Sequence, residues 1–195
     1  MAERLGFWFA HVFVLGFCLV LAGGFVVQFV DDERPCPLCI LQRMAMVLCA
    51  LGGAFVVRKA AGGSVTPGDF ATGYGLAVVG GVAGAAISTR QILLHVLPTD
   101  PGYGDPVLGL HLYTWAFVTF VVAVVAAAVN LVFAYEVLPV TAPPRSGWAS
   151  TAVLWLLGAV IAANAVAVFA LEGVHWVLPD DPARYELLHD LGLRG

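Results

Sequence analysis

The sequence predicts an all-α polytopic membrane protein. Of its 195 residues, 61% are hydrophobic and only 11% are charged, and the mean hydropathy is +0.92. A soluble domain of that size needs a polar coat, and this chain has too few polar residues to make one. Its apolar residues also gather into five runs, each long enough for a helix to cross the hydrocarbon layer, which takes about 20 residues. Net charge is −4 with a single lysine, Lys59. Without a basic cluster to meet phosphates, no nucleic-acid partner is expected, and membrane lipid is the expected surroundings. The chain reads as a single membrane domain.

The first span runs from about Phe7 to Val30. Its length and the lack of a strong basic start argue against a cleaved signal peptide, although Ala22-Gly23-Gly24 faintly resembles a cleavage site. The second runs from about Cys39 to Val57 behind Pro35 and Pro37. Proline is tolerated in a first helical turn, so this helix is expected to begin at or near the cysteines. A glycine-rich polar loop with Pro67 leads to the third span, from about Phe70 to Leu97. Gly73, Ala77, Gly80, Gly81, Gly84 and Ser88 recur there at near-helical spacing; such small residues either admit another helix at close range or face lipid as filler.

The fourth span runs from about Val107 to Ala134 and opens with His111, Tyr113 and Trp115. The last two read as part of an aromatic belt at the membrane boundary. A loop with Pro139, Pro143 and Pro144 precedes the fifth span, from about Trp148 to Leu171. Gln28, Asn130 and Asn164 read as hydrogen-bonding residues between helices. The tail, 172–195, differs in kind. Asp181-Pro182 reads as a cap and first turn, Leu187, Leu188 and Leu191 share one side, and Gly192 is a stop, so a short surface helix along the membrane is expected.

Orientation follows from loop charges. Arg4, Arg58, Lys59 and Arg145 fall on one side, and Arg34, Arg184 and Arg194 on the other, with Arg43 and Arg90 inside the membrane. That is nearly a tie for the positive-inside rule. The acids lean strongly to the second side: Asp31, Asp32, Glu33, Asp100, Asp105 and the tail acids. The expected topology has the N-terminus and Lys59 in the cytoplasm, with the cysteine pair and the tail outside.

Four cysteines are present: Cys18, Cys36, Cys39 and Cys49. Cys18 and Cys49 lie within apolar runs and read as small hydrophobes. Cys36 and Cys39 form a C-x-x-C at the mouth of the second helix. The positive end of a helix favours thiolate over thiol, which suits a redox pair of one accessible and one resolving sulfur. Positions 36, 39 and 43 share a helical stripe, so Arg43 stands about one turn below Cys39. A cation there is costly, on the order of 3 kcal/mol at mid-helix. Either a lipid phosphate reached by snorkelling or a polar cofactor headgroup beside the cysteines would compensate it. A quinone fits the second case, since its carbonyl oxygens accept hydrogen bonds from a guanidinium. A metal site would want a second cysteine pair or a histidine pair, and His95, His111 and His175 lack ligand spacing, so no metal is expected. Arg90, Gln91 and His95 near the outer end of the third helix either find water and headgroups or help form a quinone pocket, with His95 a candidate for proton handling.

The stretch "CPLCILQR" (residues 36–43) resembles the DsbB family of bacterial disulfide-bond formation proteins. "RQILLHVLP" (90–98) is similar to the end of that family's third helix, and "YGDPVLGLHLYTWAF" with the tail "LEGVHWVLPDDPARYELL" looks like a five-helix branch. The resemblance implies a four-helix bundle plus a fifth transmembrane helix in the bacterial inner (cytoplasmic) membrane. It implies a quinone-linked oxidoreductase that reoxidises a periplasmic thioredoxin-like dithiol oxidase of the DsbA type and passes electrons to ubiquinone or menaquinone. By motif, Cys36 and Cys39 match the redox pair, Arg43 the quinone-contacting arginine, and Arg90, Gln91 and His95 the quinone side of the third helix. The family's usual second cysteine pair is absent: Gly173 and Leu178 stand where it is expected, and the 98–109 loop has no cysteine. The alternative reading is therefore a non-catalytic or accessory membrane subunit that keeps the scaffold within a larger complex.

Overall fold

The computed structural model describes residues 2–63, 65–97, 99–139, 147–175, 177 and 179–193. Pro98, Pro143, Pro144, Arg145, Leu178 and Arg194 lie outside the described residues. Five long helices match the five apolar runs: α1 (Ala2–Val30), α2 (Pro37–Ala61), α3 (Pro67–Leu94), α4 (Leu112–Val132) and, after a single turn α5 (Ala134–Val137), α6 (Gly147–Glu172). A short α7 (Glu186–Asp190) closes the tail.

The boundaries follow local chemistry. Pro37 opens α2 behind Cys36, whose φ of −69° and ψ of 166° are those of an N-cap. Thr66 and Asp69 form a reciprocal capping box at the start of α3, Thr66 Oγ1 accepting from Asp69 N at 3.1 Å. The fourth helix starts at Leu112 rather than Val107. Residues 107–110 make a tight turn instead, with reciprocal Val107–Leu110 backbone bonds of 2.9 and 3.2 Å and left-handed φ at Leu108 (54°) and Gly109 (82°). Two left-handed residues in succession define a hairpin-type turn that no helix accommodates, however apolar its sequence. The tail helix is shorter than its cap signal suggests: Tyr185, not Asp181, is its N-cap, and Pro182 is buried. Gly192, at φ 67°, ends that segment.

α2 is the central post: 61% of its apolar window is buried, against 22% in α6. The small residues of α3 are interface, not lipid-facing filler. A Cβ added at Gly73 would lie 2.8 Å from Gly52 O, and one at Gly80 would lie 3.0 Å from Cys49 Sγ, both on α2. One at Gly81 would lie 2.6 Å from Val124 on α4, while Gly84 sits under the Phe120 ring. The reverse holds on α2, where a Cβ at Gly52 would lie 2.9 Å from Ala77 N. Gly52→Val is therefore expected to destabilise the bundle by about 1–3 kcal/mol, read as a lower unfolding temperature in detergent. Gly75→Val, with nothing within 4 Å of its added Cβ, should unfold near wild type. Equal loss in both would show that α2–α3 contact is not the cause.

Across the bundle, His11 Nε2 meets Ser150 Oγ at 3.0 Å and ties α1 to α6. Asn130 and Asn164 do not bridge helices among the described residues. Each donates to the carbonyl four residues back in its own helix, at 2.9 Å, the nearest acceptor an apolar interior offers. Cys18 and Cys49 are buried and free, with Cys49 Sγ donating to Ala77 O at 3.3 Å.

Candidate redox site

The site starts from the N-cap of α2. Pro37 has no N–H to satisfy, and the extended Cys36 turns its sulfur back over the first turn, where it accepts from Cys39 N at 3.3 Å. The two sulfurs are thereby brought to 2.8 Å, which leaves a short closing step to a disulfide. Cys36 is 6% exposed and Cys39 half-buried. From α3, the buried Gln91 amide nitrogen donates to both, at 3.3 Å to Cys36 and 3.5 Å to Cys39. Its oxygen accepts from Gln42 Nε2 at 3.0 Å.

One turn into α2, Arg43 spends two of its five donors on α1. Nη1 donates to Gln28 Oε1 at 2.6 Å and Nη2 to Gly24 O at 2.9 Å. The guanidinium also lies 5.7 Å from the Phe25 ring centre. Gln28 does bridge helices, as its position in an apolar run predicts, and its Nε2 reaches on to Tyr185 Oη in the tail at 3.2 Å. Tyr185 in turn stacks on Phe29 at 6.4 Å and lies 5.8 Å from the Arg34 guanidinium.

Cys39, Gln42 and Arg43 line one cavity of about 310 Å³, between α1, α2, α4 and the 99–111 loop. Cys36 does not line it. Two further wall residues, Val20 and Thr119, also line an apolar groove of about 240 Å³ between α1 and α4. The loop is fastened over the cavity by Tyr103, whose hydroxyl donates to Arg34 O at 2.6 Å, and by Asp105 N, which donates to Glu33 Oε1 at 2.8 Å. Burial holds the Tyr103 phenol above its ordinary range, so it stays a donor. Asp100 accepts from Gly102 N at 2.8 Å and meets His95 Nδ1 at 3.1 Å, and these contacts hold its carboxyl below the usual range.

The remaining sequence candidates divide. His95 stacks on Tyr113 at 5.6 Å, and Tyr113 lines the cavity, so His95 meets it through one ring. Arg90 is exposed on α3, lines no part of the cavity and has no hydrogen bond or ion pair among the described residues. Tyr113 is not an interfacial belt residue: it is 6% exposed, because the 99–111 loop folds over the start of α4. Trp115 donates to Val107 O at 2.9 Å and so also serves that loop. Gln42 is a site residue beyond the sequence candidates, though a polar side chain beside an intramembrane arginine is signal enough to name it. Tyr103, Tyr113 and Tyr185 carry no comparable signal, since long-range folding alone delivers them. At the surface, ligand atoms of His175, Glu186 and Asp190 come within 4.8 Å of one another. His175 pairs with Asp190 at 3.1 Å and so ties α7 to the segment that follows α6, while Arg184 pairs with Glu186 within the tail, also at 3.1 Å.

Two sulfurs within exchange distance at a membrane helix mouth, with an amide donor on both, are equipped for reversible disulfide formation. Fold and pair together define the class, a membrane disulfide oxidoreductase. Known proteins narrow it. The family model for Disulfide bond formation protein DsbB matches residues 6–104, a stretch that takes in both cysteines, Gln42, Arg43, Gln91 and Tyr103. The chain is 32% identical to Disulfide bond formation protein B 1 of Pseudomonas fluorescens over 158 residues, 63% of this chain and 88% of that one. It is 34% identical to the protein of the same name from Pseudomonas syringae over 55% of this chain and 79% of that one. Against Disulfide bond formation protein B of Burkholderia pseudomallei the identity is 28%, over 58% and 83%. No solved structure matches. The chain belongs to the DsbB family.

Proposed function

We propose that this protein is a quinone-linked thiol–disulfide oxidoreductase of the bacterial inner membrane. It takes electrons from a periplasmic thioredoxin-like dithiol protein through Cys36 and Cys39 and delivers them to ubiquinone or menaquinone. One observation carries the reading: Cys39 and Arg43 stand on the wall of the same cavity, and that cavity shares Val20 and Thr119 with an apolar groove. A polar head with a long apolar tail is the ligand shape such a pair of spaces suits. Arg43 fits the head, because three of its five donors remain after Gln28 and Gly24 are served.

A bound quinone would supply a two-electron, two-proton acceptor. The chain's own residues do the rest. Cys36, which does not line the cavity, is the sulfur a partner thiolate attacks. The S–S bond breaks, and Cys39 takes the electron pair on the cavity side. Gln91 meets the charge on either sulfur, Arg43 orients and offsets charge at the head, and the loop pinned by Tyr103 excludes water. His95, stacked on Tyr113 and paired with Asp100, is the group placed to pass protons.

The accessory-subunit reading draws on two facts: no second cysteine pair is present, and Cys36 is nearly buried. Turnover decides between them. Purified protein with quinone and a reduced thioredoxin-like donor should bleach quinone absorbance, and Cys36→Ser should not. Wild type no faster than Cys36→Ser with any donor would overturn the proposal. A pair that stays reduced in an oxidising compartment would do the same.

A further inference from the structure

An amide has one donating and one accepting end, and a cysteine pair can be met by either. A thiol S–H can donate to the oxygen, whereas a thiolate can only accept from the nitrogen. In Gln91 the nitrogen makes the nearer contacts to the sulfurs, while the oxygen, 4.0 Å from Cys39 Sγ, is engaged by Gln42. Gln42 Nε2 donates to Gln91 Oε1 at 3.0 Å, which turns Gln91 Nε2 toward Cys36 Sγ and Cys39 Sγ at 3.3 and 3.5 Å. Both glutamines are buried, at 4% and 1% exposure, so water cannot substitute freely for either contact.

We propose that Gln42 is a positioning residue for disulfide exchange: it fixes the Gln91 amide with its NH2 group toward both sulfurs. The proposal rests on the reading of Cys36–Cys39 as a cycling disulfide and adds what tunes it. The step it acts on is the opening of that bond. A donor thiolate attacks Cys36, a new S–S bond forms to the donor, and the electron pair of the old bond leaves on Cys39 as thiolate. A hydrogen bond to a charged sulfur is stronger than one to a neutral disulfide. Fixing the donor end toward the sulfurs therefore stabilises the reduced pair and makes the disulfide more oxidising. Gln42 also lines the cavity, so the residue that aims the amide also touches the space beside Arg43.

The test needs neither quinone nor a protein partner. Full-length protein in detergent is equilibrated with glutathione redox buffers, and the Cys36–Cys39 disulfide fraction is read by alkylation and peptide mass. Gln42→Leu removes the donor and keeps the bulk; it should shift the equilibrium toward disulfide roughly tenfold, about 30 mV more negative. Gln91→Leu should shift it at least as far. In the Gln91→Leu background, Gln42→Leu should add nothing, because the hydrogen-bonded route through Gln91 is gone. A Gln42→Leu shift that is absent, or that survives in the Gln91→Leu background, overturns the proposal. Should Gln42→Leu not fold, Gln42→Met is read by the same criteria. Wild-type protein with no reversible disulfide in any buffer would sink the proposed function and this inference together. A reversible pair indifferent to Gln42 would sink this inference alone.

Discussion

Cys36→Ser and Cys39→Ser are each expected to abolish dithiol-driven quinone reduction, a loss of at least about a thousandfold, as when one member of a covalent catalytic unit is removed. A single thiol cannot hold the two electrons that a disulfide stores. The two variants should still differ in one respect. Cys39 lines the cavity and Cys36 does not. Added quinone should therefore slow alkylation of Cys39 in the Cys36→Ser protein more than alkylation of Cys36 in the Cys39→Ser protein. At a ligand concentration of about 100 Kd only about 1% of sites stay empty, so protection should reach tenfold with ease. The measurement is a rate of maleimide labelling in detergent with and without a quinone. Equal protection of both sulfurs, or of neither, would mean that the cavity is not where quinone binds.

The helices and the cysteine pair were legible in the sequence because both are local. Five apolar runs each satisfy their own backbone as helices, which a membrane demands, and a proline-flanked C-x-x-C makes its own cap. The stripe rule also brought Cys39 and Arg43 to one side of α2. What escaped the sequence depends on contacts between distant segments or on backbone handedness. Leu108 and Gly109 turn the chain before α4, and hydropathy has no term for a left-handed φ. The loop this creates buries Tyr113, so an aromatic that composition assigns to the lipid boundary becomes a cavity wall. Asn130 and Asn164 have the composition of interhelical contacts, yet their own i−4 carbonyls are closer. Arg90, Gln91 and His95 shared one motif and therefore one expectation, but helical rotation parts Arg90 from Gln91, and His95 lies a turn further on, at the C-cap where α3 ends. Gln91 points to the sulfurs, His95 to Tyr113 and Asp100, and Arg90 outward. A sequence segment names the turn of helix, and packing decides which of its faces is inside.

Arg43→Ala should raise the apparent KM for quinone by about 10–100-fold, since hydrogen bonds to a charged group are worth about 1.5–3 kcal/mol each. The same change carries a structural cost that must be separated from that effect. Gln28 is 1% exposed, and without Arg43 its Oε1 loses the partner now at 2.6 Å. An orphaned buried acceptor costs about 1–3 kcal/mol, which would appear as a lower unfolding temperature. Gln28→Leu in the Arg43→Ala background removes that orphan, so the double variant should regain stability while its quinone KM stays high. Arg43→Lys should rescue little, because one ammonium on a flexible stem cannot reproduce a planar fork that serves Gln28 Oε1, Gly24 O and the cavity together. The glutathione equilibrium of Cys36–Cys39 supplies the control: Gln91, not Arg43, makes the hydrogen bonds to the sulfurs, so that equilibrium should move far less than KM does. A KM equal to wild type in stably folded Arg43→Ala would remove Arg43 from the quinone site and leave it a helix-bridging cation held by Gln28 and Gly24.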